Sequence, residues 1–392
     1  MKILHITSSI DPKAGGVSQA LRSMIRGLSA ASVVNDVVSL DDPDSGVNEG
    51  DSFTAFLLGP PKTSWRYTKN LIPWLKENIA NYDIVLIHGL WQYHSYAAHK
   101  VVTALRGKKP RLMVMPHGML DPYFQKAEGR RLKALRNNVY WKLLEGRVVN
   151  DADKLLFTAQ TEQDVSALAF TPYKIKSASV VGLGIETPPA WNDLMADAFL
   201  QQSGYQLPQN YLLFLGRINE KKGVDLLVDA WLHLKTKYPS FPGLMIAGPG
   251  LDSVTGEAVT AKLNGVKDAW LPGMLRGNAK WAAFYGAGAF VLPSHQENFG
   301  ISVVESMLCH KAVLISNKVN ISQEIAEGGG GLVENDDLPG TITLLERWHK
   351  LTNAEKSLMN RTACRVANEL YSVENATARL MSAIGYGATQ QV

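Results

Sequence analysis

Short apolar runs rich in Val, Ile and Leu alternate with longer stretches of helical spacing, and the alternation passes through the chain twice. The first series of candidate strands is Lys2–Thr7, Val33–Ser39, Phe53–Leu58, Asp83–His88, Leu112–Pro116, Lys154–Thr158 and Ala178–Gly182. Helical runs at Val17–Ser29, Arg66–Asn81, Tyr93–Leu105 and Glu128–Asn150 separate several of them. Runs such as Ile84–Ile87 are apolar throughout, which suits a parallel sheet covered on both faces. Strands regularly separated by helices predict a doubly wound α/β architecture. The pattern breaks over Gly184–Pro208, which holds Pro188-Pro189, Pro208 and one weak helical run and reads as a linker region. It restarts at Tyr211–Leu215 and continues through Gly243–Ala247, Asp268–Leu271, Ala289–Leu292 and Ala312–Ser316, with helices at Val224–Lys237, Ala279–Tyr285 and Ile301–His310. The expected domains are therefore 1–190 and 191–370. The terminal segment 371–392 carries a helical run, Val373–Ile384, that is a candidate for crossing back to the first domain.

Composition narrows the function classes. An apolar share of 46% over 392 residues is enough for two buried cores and excludes disorder as the main state. Forty basic against thirty-six acidic residues give a net charge of +4, too small over this length for wholesale nucleic-acid binding. Cys309 and Cys364 cannot supply a disulfide framework or a four-ligand zinc site, so a reducing compartment is expected. Met1–Ile10 is a mixed run without the pattern of an export signal. No apolar run approaches the ~18 residues that span a bilayer. The expectation is a soluble cytoplasmic chain that could still dock on the inner membrane face.

Candidate chemistry sits where strands end. Gly15-Gly16 lies between the first strand and the first helix, where a backbone can approach a phosphate or sugar closely, or simply turn. The surrounding K-A-G-G-V is not a G-x-G-x-x-G fingerprint, which counts against an NAD enzyme. In F-L-G-R-I-N-E-K-K-G, Arg217 and Lys222 follow a strand end and could neutralise a diphosphate, or be solvated surface charges. The run V-L-P-S-H-Q-E-N-F-G-I-S-V-V-E ends a strand at Ser294 and starts a helix near Gly300 or Ile301. The free N–H groups of Phe299, Gly300 and Ile301 would form a small anion or hydroxyl site there, flanked by Glu297 and Glu305. His88 and His117 each end a strand and precede glycine. Neither has partners at metal spacing, so no metal site is expected. Asp42-Pro43-Asp44 and Asp151-Ala152-Asp153 are weak metal candidates placed in a turn and before a strand. Lys126–Arg147 holds seven basic and two acidic side chains, a net +5, interrupted by Tyr140 and Trp141. Such a stretch is either a solvated helix face or a surface for an anionic acceptor or membrane.

Taken together these motifs resemble the retaining glycosyltransferases of the GT-B fold, specifically glycosyltransferase family four. The early G-G-V loop, the P-H-G strand end, G-R-x-x-x-x-K-G and E-x(7)-E occur in order, and the resemblance covers nearly the whole chain. It implies two Rossmann-like doubly wound domains facing a cleft, the first for the acceptor and the second for a nucleotide sugar. It implies that Arg217 and Lys222 hold the donor diphosphate and Glu305 the ribose. Glu297, Asn298 and the N–H groups of Phe299, Gly300 and Ile301 would hold the sugar hydroxyls. His117 would lie beside the sugar near its anomeric carbon, with Gly15 and Gly16 approaching from the first domain. The implied reaction is metal-independent hexosyl transfer with retention, with the nucleotide sugar as substrate and no cofactor. UDP-hexose is the expected donor, UDP-glucose first and GDP-mannose next. The expected acceptor is a glycan or a lipid-linked saccharide in polysaccharide or glycolipid assembly, without nucleic acid. Ser294-His295-Gln296 departs from the small residues usual before the first glutamate, which bears on sugar preference. Arg130, Arg131 and Lys133 are the expected acceptor or membrane patch. The competing readings are a GT-B nucleotide-sugar epimerase and a non-catalytic nucleotide-sugar-binding protein. A glycoside phosphorylase would need a cofactor-lysine motif that the sequence does not show.

Overall fold

A computed structural model of the chain describes residues 1–126 and 131–386. The chain forms two compact units, Met1–Gly184 joined by the segment from Val373 onward, and Ile185–Ser372. In the first unit the strands are β1 (Lys2–Thr7), β2 (Val34–Ser39), β3 (Thr54–Leu57), β4 (Ile84–His88), β5 (Arg111–Met115), β6 (Lys154–Phe157) and β7 (Ala178–Val180). They pair in the order β3-β2-β1-β4-β5-β6-β7, all parallel. In the second unit β8 (Tyr211–Leu215), β9 (Gly243–Ala247), β10 (Ala269–Gly273), β11 (Ala289–Leu292), β12 (Val313–Ser316) and β13 (Gly331–Glu334) pair in the order β10-β9-β8-β11-β12-β13, again all parallel. Both sheets thus have the doubly wound order, with a switch point between β1 and β4 and another between β8 and β11.

The sequence pattern explains the layering. Ile84, Val85, Leu86 and Ile87 are all buried because helices cover both faces of the sheet. Helix Gly16–Ala30 buries Ala20, Leu21, Ile25 and Leu28 on one stripe, each large apolar side chain contributing about 1.5–3 kcal/mol. Gly27 on the same helix has no side chain for a packing reason. A Cβ there would stand 1.9 Å from Thr377 Oγ1 of helix Val373–Ala383. That terminal helix is held on the first unit by Arg379, whose Nε donates to Val181 O at 3.1 Å.

Several elements differ from the sequence expectation. The region read as a linker contains helix Leu194–Ser203, whose Met195 and Phe199 are buried and which packs against helix Gly277–Gly286. The helix expected from Arg66 starts at Leu71, because Arg66 sits at φ +59 and Thr68 Oγ1 is tied to Leu58 O at 2.6 Å. Strand β13 begins at Gly331, the last of four consecutive glycines, and is not among the expected strands. Helices Ser322–Gly328, Leu338–Lys350 and Asn353–Tyr371 complete the second unit. Of the basic stretch, Tyr123–Lys126 and Arg131–Tyr140 are α-helical, Trp141–Glu145 is a wider turn and Gly146–Asp151 resumes the helix. Glu128 and Arg130 lie outside the described residues.

Candidate functional site

Loops leaving β8 and β11 diverge from the switch point of the second sheet, where open parallel sheets take ligands. Gly216–Gly223 follows β8. Asn219 Oδ1 accepts Lys222 N–H at 3.2 Å and sets the short turn Glu220–Lys222. Gly223 then adopts φ +64, and a Cβ there would lie 2.0 Å from Pro293 O, so only glycine fits. This close approach brings the loop after β8 against the end of β11. His295 N–H and Ser294 Oγ both donate to Lys221 O at 2.9 Å and complete the seam. The seam carries Lys222 Nζ onto Glu297 Oε2 in a half-buried ion pair.

Glu297 is fixed from the other side as well. Its N–H donates to Lys318 O and its carbonyl accepts Asn320 N–H, each at 3.0 Å. Its Oε1 accepts Asn298 N–H at 3.1 Å, and Asn298 Oδ1 accepts Asn320 Nδ2 at 3.2 Å. Gly300 turns the chain into helix Ile301–Leu308. The N–H groups of Phe299, Gly300 and Ile301 find no backbone partner among the described residues. They form a row of donors at the positive end of the helix. One turn on, Glu305 is buried and its Oε1 meets Lys280 Nζ at 2.8 Å. Arg217 is exposed beside the loop, with no side-chain partner among the described residues. The structure therefore brings together Lys222, Glu297, Asn298 and the Phe299–Ile301 donors. It ties Glu305 to a lysine that spacing could not reveal, since Lys280 comes from a different helix.

The first unit has its own switch-point edge. Gly15 adopts φ +106 in open space and Gly16 opens the helix that follows. Asp41 holds the loop after β1 by accepting Ser9 Oγ at 2.6 Å and Ile10 N–H at 2.7 Å. His117 follows β5 and is partly exposed, with φ +53. Buried Glu162 pins the next residue, accepting Gly118 N–H at 2.5 Å, Thr158 N–H at 2.7 Å and Thr158 Oγ1 at 2.6 Å. His88 Nδ1 lies 3.1 Å from His117 Nε2, and His88 Nε2 lies 2.9 Å from His5 Nδ1. Burial lowers His5, His94 and His117 to about 4 and His88 well below its usual value, so all four are neutral at pH 7. Nearby lies a cavity of about 510 Å³ lined by Trp65, Trp91, Arg136, Tyr140 and neighbours.

The two D-x-D strings are engaged locally. Asp42 caps a turn by accepting Asp44 N–H at 3.0 Å. Asp151 accepts from His99 at 2.8 Å, and Asp153 takes Leu112 N–H at 2.9 Å and Lys176 at 3.0 Å. Lys280, His5 and Asn35 had no signal in the sequence, because each meets its partner across strands or helices far apart in the chain, and Glu162 was missed because its bond to Gly118 spans 44 residues although Thr158 is only four residues away.

Residues 14–176 match the family Glycosyltransferase Family 4 and residues 196–356 match Glycosyl transferases group 1. The chain belongs to the GT-B glycosyltransferases of family four. A D-inositol 3-phosphate glycosyltransferase of Gordonia bronchialis is 30% identical over 213 residues, 51% of this chain and 45% of that protein. The match thus spans less than half the length of that relative. A GDP-mannose:cellobiosyl-diphosphopolyprenol alpha-mannosyltransferase of Xanthomonas campestris is 24% identical over 351 residues, 86% of this chain and 84% of that protein. The solved sucrose-phosphate synthase of Thermosynechococcus elongatus shares the fold, with a TM-score of 0.76 at 16% identity over 98% of both chains.

Proposed function

We propose that this glycosyltransferase moves a hexosyl group from a nucleoside-diphosphate sugar to a hydroxyl of a glycan or lipid-linked acceptor, with retention and without a metal. The observation that carries the reading is the Lys222–Glu297 ion pair beside the N–H groups of Phe299, Gly300 and Ile301, which find no backbone partner among the described residues. A diphosphate would take the place of Glu297 at Lys222, with Arg217 closing on it. Glu297 is then released to accept hydroxyls of the sugar, together with Asn298 and the row of N–H donors. Glu305 is assigned to the ribose, held in place by Lys280. On the first unit, Gly15-Gly16 and His117 are assigned to the transferred sugar.

Charge develops on the departing phosphate, so fixed cations and helix-end donors lower the barrier where they are aimed. Once exchanged for the diphosphate at Lys222, Glu297 serves as a sugar ligand, with its Oε1 still oriented by the Asn298 N–H. UDP-glucose is the first donor to test and GDP-mannose, named for the Xanthomonas relative, the second.

The acceptor side favours a lipid-linked saccharide at a membrane surface. Leu135, Val139 and Leu143 are 65%, 51% and 62% exposed at four-residue spacing, the spacing of one helix face. Lys133, Arg136 and Lys142 are exposed around them. An apolar stripe edged by cations fits an anionic interface. No helix among the described residues is long and apolar enough to cross a membrane. The functional test is a thermal-shift screen of sugar nucleotides in EDTA, followed by nucleotide release with and without a polyprenyl-diphosphate-linked saccharide. Release that depends on the acceptor is expected. Release or sugar isomerisation without any acceptor would return the epimerase.

A further inference from the structure

Three histidines form a ladder across the first sheet, and the ladder has a direction. It starts at Asn35 in β2. Asn35 Nδ2 donates to Val33 O at 2.8 Å. A carbonyl only accepts, so the amide is oriented and Oδ1 faces His5 Nε2 at 3.1 Å. His5 must therefore carry its proton on Nε2 and present a bare Nδ1. His88 Nε2, at 2.9 Å from that nitrogen, must donate to it. A neutral His88 then has a bare Nδ1, and His117 Nε2 at 3.1 Å must donate in turn. The remaining nitrogen, His117 Nδ1, meets no partner among the described residues. The ring centroids lie 5.2 and 5.4 Å apart at interplanar angles of 24° and 25°, the near-coplanar, edge-to-edge arrangement that in-line N–H···N bonds require. Burial keeps them neutral, as the deduction requires.

We infer that Asn35, His5 and His88 are positioning residues that lock His117 as its Nε2–H tautomer, so that it meets its ligand with an unprotonated Nδ1, a hydrogen-bond acceptor for a sugar hydroxyl. An imidazole of this polarity accepts an O–H and offers nothing to a phosphate oxygen. The left-handed backbone at His117 and the Glu162 clamp on Gly118 fix where that acceptor sits. The naming of a sugar as the ligand rests on the function proposed above; the polarity of the ladder does not.

The test is a 15N NMR spectrum of the full chain labelled at histidine, at pH 7.5, with His5, His88 and His117 assigned. All three should be neutral with the proton on Nε2. A His117 carrying its proton on Nδ1, or a charged imidazole in the ladder, overturns the inference, and this arm needs no variant. Asn35→Leu removes the terminal acceptor and lets the ladder reverse, so Nδ1–H should appear at His117. Loss of one neutral hydrogen bond should raise the KM of the sugar nucleotide about three- to tenfold while free nucleoside diphosphate binds as before. A reversed ladder with unchanged KM overturns the positioning role. Failure of acceptor-dependent nucleotide release would instead strike the proposed function and leave the spectrum standing.

Discussion

Lys222 is the residue on which the donor assignment bears most weight. In this structure it is neutralised by Glu297, and a diphosphate would have to exchange places with that carboxylate. Lys222→Ala should cost about 2–4 kcal/mol of transition-state stabilisation, a fall of roughly 30- to 1,000-fold in kcat/KM. Turnover within threefold of the unaltered chain would remove Lys222 from the site. The two glutamates should fail differently. Glu305→Gln should weaken free nucleotide and sugar nucleotide alike, and it also loosens the buried pair with Lys280. Glu297→Gln should weaken the sugar nucleotide and spare the free nucleotide. Calorimetry with both ligands separates them, and equal losses for the free nucleotide would reject the division. Arg217, Lys222, Glu297 and Glu305 could be singled out as candidates in the sequence because each lies near a strand end or helix start. Lys280 could not, because a side chain arriving from a distant helix leaves no trace in local spacing, and the contact of Glu162 with Gly118 was hidden for the same reason.

At the scale of elements, the strands were easier to read than the segments between them. Continuous apolar runs announce parallel strands, whereas Gly328–Gly331 conceals the start of β13 and the left-handed Arg66 delays a helix. The histidines at the ends of β4 and β5 were visible, but their union with His5 depends on strand order. That order places β1 beside β4 and β4 beside β5. The buried histidines of this unit have a consequence for stability. The unfolded chain protonates these imidazoles near pH 6.5, while in the folded unit His5, His94 and His117 resist protonation down to about 4. The unfolded state then binds more protons, so stability falls as pH drops from about 6.5 toward 4, by up to ~1.4 kcal/mol per pH unit for each such group. Urea unfolding at pH 7.5, 6 and 5 checks this, and a flat profile would contradict it. The helical stretch Arg131–Glu145 makes a separate prediction. Flotation with anionic liposomes should show binding that fades as salt rises, on the ~8–10 Å screening length of physiological buffers. Leu135→Asp with Val139→Asp should abolish it without changing donor binding. Equal flotation of the double variant would reduce the stripe to an ordinary exposed face.

For the whole molecule, the repeated alternation of strands and helices was enough to indicate two doubly wound sheets. The return of the chain at Val373 depends on packing between residues far apart, such as Gly27 and Thr377. The assignment of a cationic, helix-end site also implies that no metal is needed to carry the charge of the leaving diphosphate. That claim and the claim of retention meet in one experiment. The chain is incubated with the donor chosen by the thermal-shift screen and its saccharide acceptor in excess EDTA, and the anomeric configuration of the glycoside is read by proton NMR. The account predicts a glycoside formed in EDTA with the same anomeric configuration as the donor; an inverted linkage, or a product that appears only when Mn²⁺ or Mg²⁺ is restored, would contradict it.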